Sequence, residues 1–159
     1  MVCAFCEIEK DVKKGFFIYE NSDFYSIFDV HPVSQGYALV ISKKHIVSLF
    51  DLSEIEWAAL YPALRETKEK IRDTDFEVLY GRIMDEKPTK RSSFFCDIML
   101  ARPSLRSKPY AFNIGVNEGE IAGRSIDHLH VQVIPRYLND VVDPVGGIRN
   151  VIPGMGNYR

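Results

Sequence analysis

The most constraining feature of this sequence is a nine-residue segment, 126–134, in which polar and aliphatic side chains alternate. Its polar positions are His128, His130 and Gln132, and the aliphatic positions between them are Leu129, Val131 and Val133. A β-strand turns successive side chains to opposite faces, so the pattern predicts a strand with two imidazoles and an amide on one face and a core-facing surface on the other. Alternate residues of a strand lie about 6.5 Å apart, which lets neighbouring polar groups share a phosphate-sized ligand or divide between a metal and a substrate.

Composition restricts the chain to a few broad classes. Its 159 residues suit one domain over 1–159, its 46% hydrophobic residues supply a core, and its 26% charged residues argue against global disorder. A net charge of −2 gives no general attraction to nucleic acid or membrane. No apolar run approaches the roughly 20 residues that span a bilayer, and the N-terminus lacks a signal-peptide pattern. We therefore expect a cytoplasmic protein.

Four further strands and one long helix are predicted around this segment. The strands span 16–20, 24–28, 37–41 and 111–117, and the last of them is expected beside 126–134. The helix begins at Ser53, which forms a capping-box pattern with Glu56. Pro62 removes one backbone donor inside the helix, so a kink is expected there. The apolar residues at helical spacing are Trp57, Leu60, Tyr61, Leu64 and Ile71.

The stretch 82–109 differs from the rest of the chain because it combines basic residues, three prolines and an apolar island at 94–100. Its basic residues are Lys87, Lys90, Arg91, Arg102, Arg106 and Lys108, beside Arg82 at its start. We interpret it as an elaborated basic connection, which is either a solvated, irregular loop or a basic lid over a polyphosphate. The tail 143–159 is rich in glycine and proline and is expected to lie over the body as coil.

Cys3 and Cys6 form a Cys-x-x-Cys pair close to the N-terminus. The odd total of three cysteines, in a chain expected in the cytosol, argues against a disulfide framework. The pair is then a redox motif, half of a zinc site, or two buried thiols. A redox pair would follow a strand, and only two residues precede Cys3, which disfavours that alternative. A structural zinc needs two more ligands, and His45 and His128 could complete a Cys2His2 set.

His130 is the candidate nucleophile. An imidazole can attack phosphorus near neutral pH when one ring nitrogen is free and the other donates to a carbonyl. The loop before it carries Asn117, Gly123, Arg124 and Ser125, and such a loop offers backbone and side-chain donors to a phosphate. The same residues are also typical of an ordinary turn. Arg124 is either a phosphate clamp or a solvated loop charge.

Asp29 follows the strand 24–28 and precedes His31 and Pro32. A carboxylate at a strand end can accept both hydroxyl groups of a ribose. The alternative is a turn aspartate that bonds its own backbone. His31 is interpreted as a turn residue without a functional role.

Taken together, these residues resemble the histidine-triad (HIT) superfamily of nucleotide hydrolases and transferases. The strongest part of the resemblance is Asn117–Gly119 followed by Gly123–Arg136, and it extends over roughly Cys3–Arg136, interrupted by 82–109. The supporting parts are the N-terminal cysteine pair and the run from Asp29 through Pro32 and Gly36 to Lys43-Lys44-His45. The triad motif in this spacing is specific, whereas the supporting parts alone are not.

The resemblance implies an α+β protomer, in which one main helix packs on an antiparallel sheet, and it implies a homodimer. His130 would attack the α-phosphate of a nucleotide and form a covalent nucleotidyl-histidine. The phosphate would be held by Asn117, Ser125 and Gln132, with Gly123 and Arg124 beside them. Asp29 would bind the ribose, with Ile27 and Val30 near the base.

The resemblance also implies a structural zinc ion. In members of the family that carry zinc, the metal binds the N-terminal cysteine pair, the histidine after the two lysines, and the first triad histidine. Here those positions are Cys3, Cys6, His45 and His128, and all four residue types match. Four protein ligands leave no open coordination position for water, so the zinc would be structural.

Two positions depart from the hydrolase pattern of the family. Gln132 occupies the third triad position, where hydrolases have histidine, and glutamine cannot exchange a proton near pH 7. Glutamine there resembles the branch that transfers the nucleotidyl group to another phosphate, whereas the short chain resembles the hydrolase branches. Arg124 stands where the short hydrolases carry glutamine. Water and phosphate therefore both stay open as the acceptor.

The predicted function is a nucleotide-binding enzyme that cleaves at the α-phosphate of a dinucleoside polyphosphate or adenylyl conjugate. Its predicted partner is a small-molecule nucleotide. One alternative is a nucleotide-binding regulatory module with little turnover, because Gln132 supplies no proton to a leaving group. Another is an RNA- or phosphoprotein-binding protein that acts through the basic residues of 87–108.

Overall fold

A computed structural model describes residues 3–11, 16–86 and 89–158 of the chain. The helices are α1 (Ala4–Asp11), α2 (Glu54–Asp73), α3 (Phe76–Asp85) and α4 (Lys90–Leu100). The strands are β1 (Phe17–Glu20), β2 (Phe24–Phe28), β3 (Ala38–Ser42), β4 (Ala111–Gly115) and β5 (His130–Arg136). No helix of the described residues has both the length and the apolar character needed to cross a bilayer.

The five strands form one antiparallel sheet in the order β1-β2-β3-β5-β4. The central strands β2 and β3 are buried along their whole length, whereas β5 alternates between buried and half-buried residues. β4 and β5 are adjacent, as the sequence predicted, and their pairing sets Gly115 opposite Gln132. The α+β class, with an antiparallel sheet and a main helix packed on it, is confirmed.

One face of the sheet forms the main hydrophobic core with α2. The strands contribute Val40, Val131 and Val133 among others, Leu129 lies just before β5, and α2 contributes Leu60, Ala63 and Ile71. Because Val131 and Val133 point into this core, the period-two pattern forces His130 and Gln132 to the opposite face. We call that opposite face the site face.

The main helix begins where the sequence predicted. Ser53 is the N-cap of α2, its side chain accepts the Glu56 backbone N–H, and the Glu56 carboxylate accepts the Ser53 N–H. The predicted apolar stripe is partly wrong, because Trp57 is 44% exposed and Tyr61 69% exposed. Tyr61 lies about 100° round the helix from Leu60, so it falls outside the stripe that faces the sheet.

The stretch 82–109 contains helical structure where one sequence interpretation expected an irregular loop. α3 has Asp75 as its N-cap, and α4 has Thr89. The apolar island belongs to α4, which buries Cys96 and Met99 in the main core. The interpretation as an irregular loop is therefore wrong for this stretch, because the apolar side chains on one face of α4 are buried.

The site face is covered in part by α1. Phe5 of α1 packs with residues of β2 and β3 in a second, smaller cluster, which we call the site-face cluster. Its members are Phe5, Tyr25, Ile27, Tyr37, Leu39 and Ile41. Tyr25 also donates a hydrogen bond from its hydroxyl to the Phe5 carbonyl, at 2.8 Å. α1 is thereby attached beside His130 of β5, whose ring Phe5 contacts.

Candidate functional site

The three polar residues of the predicted strand, His128, His130 and Gln132, fall into two groups in the structure. His130 and Gln132 lie at the start of β5, opposite Ile41 and Leu39 of β3. His128 lies before the strand, which begins at His130 and not at Ile126. His128 is 1% exposed, whereas His130 and Gln132 are half-buried. The three side chains therefore have different environments and can serve different chemistry.

The His130 ring is held in one tautomer by the backbone. Its Nδ1 lies 2.8 Å from the carbonyl oxygen of His128. A carbonyl oxygen only accepts hydrogen bonds, so Nδ1 must carry the proton and Nε2 keeps its lone pair. The Phe5 ring stands edge-on to the imidazole, with centroids 5.2 Å apart. The ring thus has the tautomer that a nucleophilic imidazole requires.

Gln132 is oriented by a tyrosine that lies just before the neighbouring strand β3. The Tyr37 hydroxyl donates to the Gln132 side-chain oxygen at 3.0 Å. Burial, and secondarily the negative charge of Asp29, raise the pKa of Tyr37, so its hydroxyl keeps its proton at neutral pH. With its oxygen bound in this way, the Gln132 amide presents its NH2 group as the remaining donor.

The two cysteines of the N-terminal pair meet two histidines at one end of the site face. The Sγ of Cys3 lies 3.3 Å from Nδ1 of His128, and the Sγ of Cys6 lies 3.3 Å from Nδ1 of His45 and 3.5 Å from Nδ1 of His128. The four ligand atoms all lie within 4.8 Å of one another. Around a tetrahedral zinc, bonds of about 2.3 Å to sulfur and about 2.0 Å to nitrogen separate S and N ligands by about 3.5 Å.

The chemistry of His128 also fits a metal ligand. Its Nε2 lies 2.6 Å from the carbonyl oxygen of Ser42 and must donate to it, which leaves the lone pair on Nδ1, the nitrogen that faces both thiols. A histidine ligand commonly donates its second ring N–H to a carbonyl in this way. The four residues therefore fit a structural zinc ion, and the sequence prediction of this group is supported by their proximity.

The loop between β4 and β5 brings Asn117 and Gly123 together. The Asn117 amide donates to the Gly123 carbonyl at 3.2 Å. Gly123 has a φ of +97°, and a Cβ added there would lie 3.3 Å from the Asn117 amide nitrogen, so both the backbone and the close contact favour glycine. Ser125 is exposed two residues later, just before the turn that leads to His128.

Arg124 is paired with carboxylates of its own loop. Its Nε lies 3.0 Å from Asp127 and its Nη1 lies 3.9 Å from Glu118. The side chain is only 16% exposed. In this structure the guanidinium stabilises the loop, and a role as a phosphate clamp would require it to leave these partners.

Asp29 directly follows strand β2 and forms a turn. Its Oδ1 accepts the backbone N–H of His31 at 2.7 Å. This is the bond expected of a turn aspartate, and it occupies one of the two carboxylate oxygens. Ile27 is buried and Val30 half-buried beside it. The carboxylate is one-fifth exposed and retains Oδ2 as an acceptor at the edge of the site face.

Three residues with a part in this site were not singled out in the sequence. Tyr37 fixes Gln132, Ser42 fixes His128, and Phe5 contacts both histidine rings. Tyr37 was detectable in principle, because an antiparallel pairing of 37–41 with 126–134 brings it near Gln132. Ser42 acts through its backbone carbonyl, which carries no residue-specific signal.

Comparison with known proteins agrees with this geometry. The HIT domain family model matches residues 10–139 of the chain. The chain belongs to the HIT family. It is 22% identical to adenosine 5'-monophosphoramidase HNT1 of Candida albicans over 84% of this chain and 70% of that protein. It is 24% identical to AP-4-A phosphorylase of Mycobacterium tuberculosis over 90% of this chain but only 58% of that protein.

Solved structures of this HIT family share the fold. A hypothetical histidine triad nucleotide-binding protein from Sulfolobus tokodaii is 28% identical, with a TM-score of 0.60 over 87% of this chain and 71% of that one. A Zn-bound histidine triad family protein from Mycobacterium smegmatis is 25% identical, with a TM-score of 0.57 over 90% of this chain and 81% of that one.

Proposed function

We propose that this HIT protein cleaves at the α-phosphate of a nucleotide through a covalent nucleotidyl-histidine on His130. The observation that carries the proposal is the hydrogen bond from His130 Nδ1 to the His128 carbonyl, which leaves the Nε2 lone pair for attack. Relatives named as a monophosphoramidase and a phosphorylase support nucleotide cleavage at the level of the family. The substrate would be a dinucleoside polyphosphate or an adenylyl conjugate.

The proposed chemistry has two steps. Nε2 attacks the α-phosphorus, and the bond from phosphorus to the leaving oxygen or nitrogen breaks with its electron pair. An oxygen of water or of phosphate then attacks the same phosphorus, the N–P bond breaks, and His130 regains its lone pair; when the acceptor is water, its proton is released to solvent. Donors aimed at the developing charge on the phosphoryl oxygens stabilise both transition states, and the NH2 group of Gln132 and the loop residues Asn117 and Ser125 are the proposed donors.

The Gln132 amide does not titrate near neutral pH, so it cannot give a proton to the leaving group. Any such proton must come from outside the triad. A leaving group that departs as a stable anion, such as a nucleoside polyphosphate, needs no proton from the enzyme. This favours phosphoanhydride substrates over phosphoramidates.

Zinc is proposed as a structural ion held by Cys3, Cys6, His45 and His128. Bound there, it would supply a fixed tetrahedral link with no open position for substrate. The protein's own contribution is that His128 carries the carbonyl that orients His130. Anchoring His128 therefore also anchors the nucleophile.

The nucleotide-binding part of the proposal assigns Asp29 to the ribose, with Ile27 and Val30 near the base. Ile27 belongs to the site-face cluster, and Asp29 and Val30 follow shortly after it, beyond the end of β2. Arg124 and Gly123 are proposed to contact the phosphates, Gly123 through its backbone. For Arg124 this requires exchange of Asp127 for a phosphate oxygen.

The decisive experiment is a single-turnover reaction of the protein with a diadenosine polyphosphate, followed by mass spectrometry of the quenched protein. We expect one nucleotidyl group on the peptide that contains His130, and faster loss of the adduct with inorganic phosphate if phosphate is the acceptor. A His130→Ala variant that keeps its thermal melting temperature must lose both adduct and turnover. Unchanged turnover in that variant overturns the mechanism.

A second candidate is a nucleotide-binding module with little turnover, favoured by the absence of a proton donor at Gln132 and by the paired state of Arg124. It predicts tight nucleotide binding by calorimetry together with no adduct and no product over hours. A measurable adduct at His130 excludes it.

The homodimer is proposed from the edge position of β4. β4 pairs with β5 on one side and ends the sheet on the other, and Ala111 and Ile114 are exposed on it. An exposed edge strand with an apolar residue is a ready surface for pairing with a second copy. Sedimentation equilibrium should give twice the mass of the chain.

A cytoplasmic location is proposed separately from the dimer.

A further inference from the structure

The turn that carries Asp29 is joined to helix α4 through the side chain of His31. The Nε2 of His31 lies 3.3 Å from the Ser92 hydroxyl, and its ring stands edge-on to Phe95 with centroids 5.7 Å apart. On its other side, Nδ1 lies 3.7 Å from Oδ1 of Asp29. His31 therefore bridges α4 and the carboxylate proposed to hold the ribose.

The α4 end of this bridge is rigid. Ser92 is 3% exposed, and its backbone N–H and hydroxyl both bond the hydroxyl of Thr89, the N-cap of the helix. One turn further on, Cys96 is fully buried in the main core. A side chain tied to this part of α4 is held in a fixed position relative to the sheet.

At the Asp29 end of the bridge the backbone is held, because the Asp29 N–H donates to the Tyr37 carbonyl at 3.0 Å and Pro32 is buried, whereas the carboxylate depends on contacts within the turn. The backbone N–H of His31 bonds Oδ1, which forms the turn, but that bond moves with the turn. Val33, two residues after His31, is 56% exposed. The His31 side chain is the contact that links the Asp29 carboxylate to α4.

We propose that His31 is a positioning residue for ribose recognition, through which α4 fixes the direction of the Asp29 carboxylate. The inference rests on the proposed function, in which Asp29 accepts the ribose hydroxyls. The chemical group recognised is a vicinal diol, which needs two acceptor positions at once. A carboxylate whose plane can rotate with its turn loses the second of these hydrogen bonds more readily than the first.

The proposal makes a specific kinetic prediction. Removing the tether should raise KM for a ribonucleotide substrate about fivefold, the loss expected for one hydrogen bond, and leave kcat nearly unchanged. With the matched 2',3'-dideoxynucleotide substrate, KM should hardly change, because that substrate offers Asp29 no hydroxyl. A general loss of stability would affect both substrates alike.

The variants to compare are His31→Ala, Ser92→Ala and His31→Gln, with Ser93→Ala as the neighbouring control. His31→Ala and Ser92→Ala should each lower the ribo-to-dideoxy preference in kcat/KM. His31→Gln can still place a nitrogen near Ser92 and should keep most of the preference, and Ser93→Ala should keep all of it. A preference in His31→Ala equal to that of the wild type overturns the inference.

The Asp29→Asn variant distinguishes a failure of the positioning role of His31 from a failure of the proposed ribose-binding role of Asp29. If Asp29→Asn removes the ribo-to-dideoxy preference while His31→Ala leaves it intact, the ribose assignment stands and the positioning role is wrong. If Asp29→Asn itself leaves the preference intact, both the ribose assignment and the positioning role are wrong. Melting temperatures of all variants show whether each fold is retained.

Discussion

The Nε2 of His128 donates to the carbonyl oxygen of Ser42 across 2.6 Å, and this bond decides which ring nitrogen faces Cys3 and Cys6. The carbonyl of His128 in turn accepts from His130. His128, a proposed zinc ligand, and His130, the proposed nucleophile, are therefore connected by hydrogen bonds to each other and to the Ser42 carbonyl at the end of β3.

Replacing a cysteine of the zinc site should release metal and destabilise the fold. For Cys3→Ser we expect zinc content, measured by inductively coupled plasma mass spectrometry, to fall well below one ion per chain, with a lower melting temperature, because metal binding is linked to folding. Cys96→Ala is the control, since this buried thiol lies in the main core and its loss should reduce stability with full zinc retained. Full zinc and unchanged melting in Cys3→Ser would refute the site.

Removing the Tyr37 hydroxyl should weaken turnover without unfolding the protein. Tyr37→Phe frees the Gln132 amide to rotate, and we expect kcat to drop about five- to tenfold, which corresponds to one hydrogen bond of about 1 kcal/mol. Tyr137→Phe removes a comparable hydroxyl, which donates to the Gln35 carbonyl away from the site face, and should leave kcat unchanged. Equal kcat values for Tyr37→Phe and the wild type would show that Gln132 needs no such orientation.

The capping box of α2 should contribute measurably to stability. Ser53→Ala removes the side-chain acceptor of the Glu56 N–H, and we expect the free energy of unfolding to fall by about 1 kcal/mol. The hydroxyl of Ser53 also lies 2.7 Å from the Glu56 carboxylate, which lowers the pKa of Glu56. Chemical denaturation measures the change, with Ser107→Ala, at an exposed position, as the control. A change of the same size in both variants would contradict the role of the cap.

Asp140 and Arg136 form a partly buried pair that should make stability depend on pH. Two hydrogen bonds from the Arg136 guanidinium lower the pKa of Asp140. Burial of the carboxylate acts in the opposite direction, but the net shift is downward. Because the folded-state pKa is the lower one, the pair stabilises the protein above the carboxylate's unfolded pKa near 4, and the contribution is lost as pH falls through the folded-state value.

Thermal melting of Asp140→Asn across pH tests this linkage. The variant should melt below the wild type at pH 7, and the two curves should converge as pH falls below about 4. Glu77→Gln, which breaks the more exposed pair with Arg106, should change melting much less at any pH. A wild-type advantage that persists undiminished below pH 3 would contradict the assignment.

The sequence determined the features that depend on local pattern. The alternation of His130 and Gln132 with Val131 and Val133 fixed which face of β5 carries chemistry, because a strand has a period of two. The capping box fixed the start of α2. The pair α3–α4 was detectable by the same reasoning, since Asp75 is followed by apolar residues at helical spacing: Phe76, Leu79, Tyr80 and Ile83.

Only the tertiary structure decided how the predicted residues act on one another. No local rule places Cys3 and Cys6 within 3.5 Å of His128, 122 or more positions along the chain. No local sequence rule indicates that the Ser42 carbonyl selects the tautomer of His128. None indicates that His31 links α4 to Asp29. Sequence patterns record which side chains can be buried or polar, whereas these contacts depend on the packing of distant segments, and packing is set by the whole chain at once.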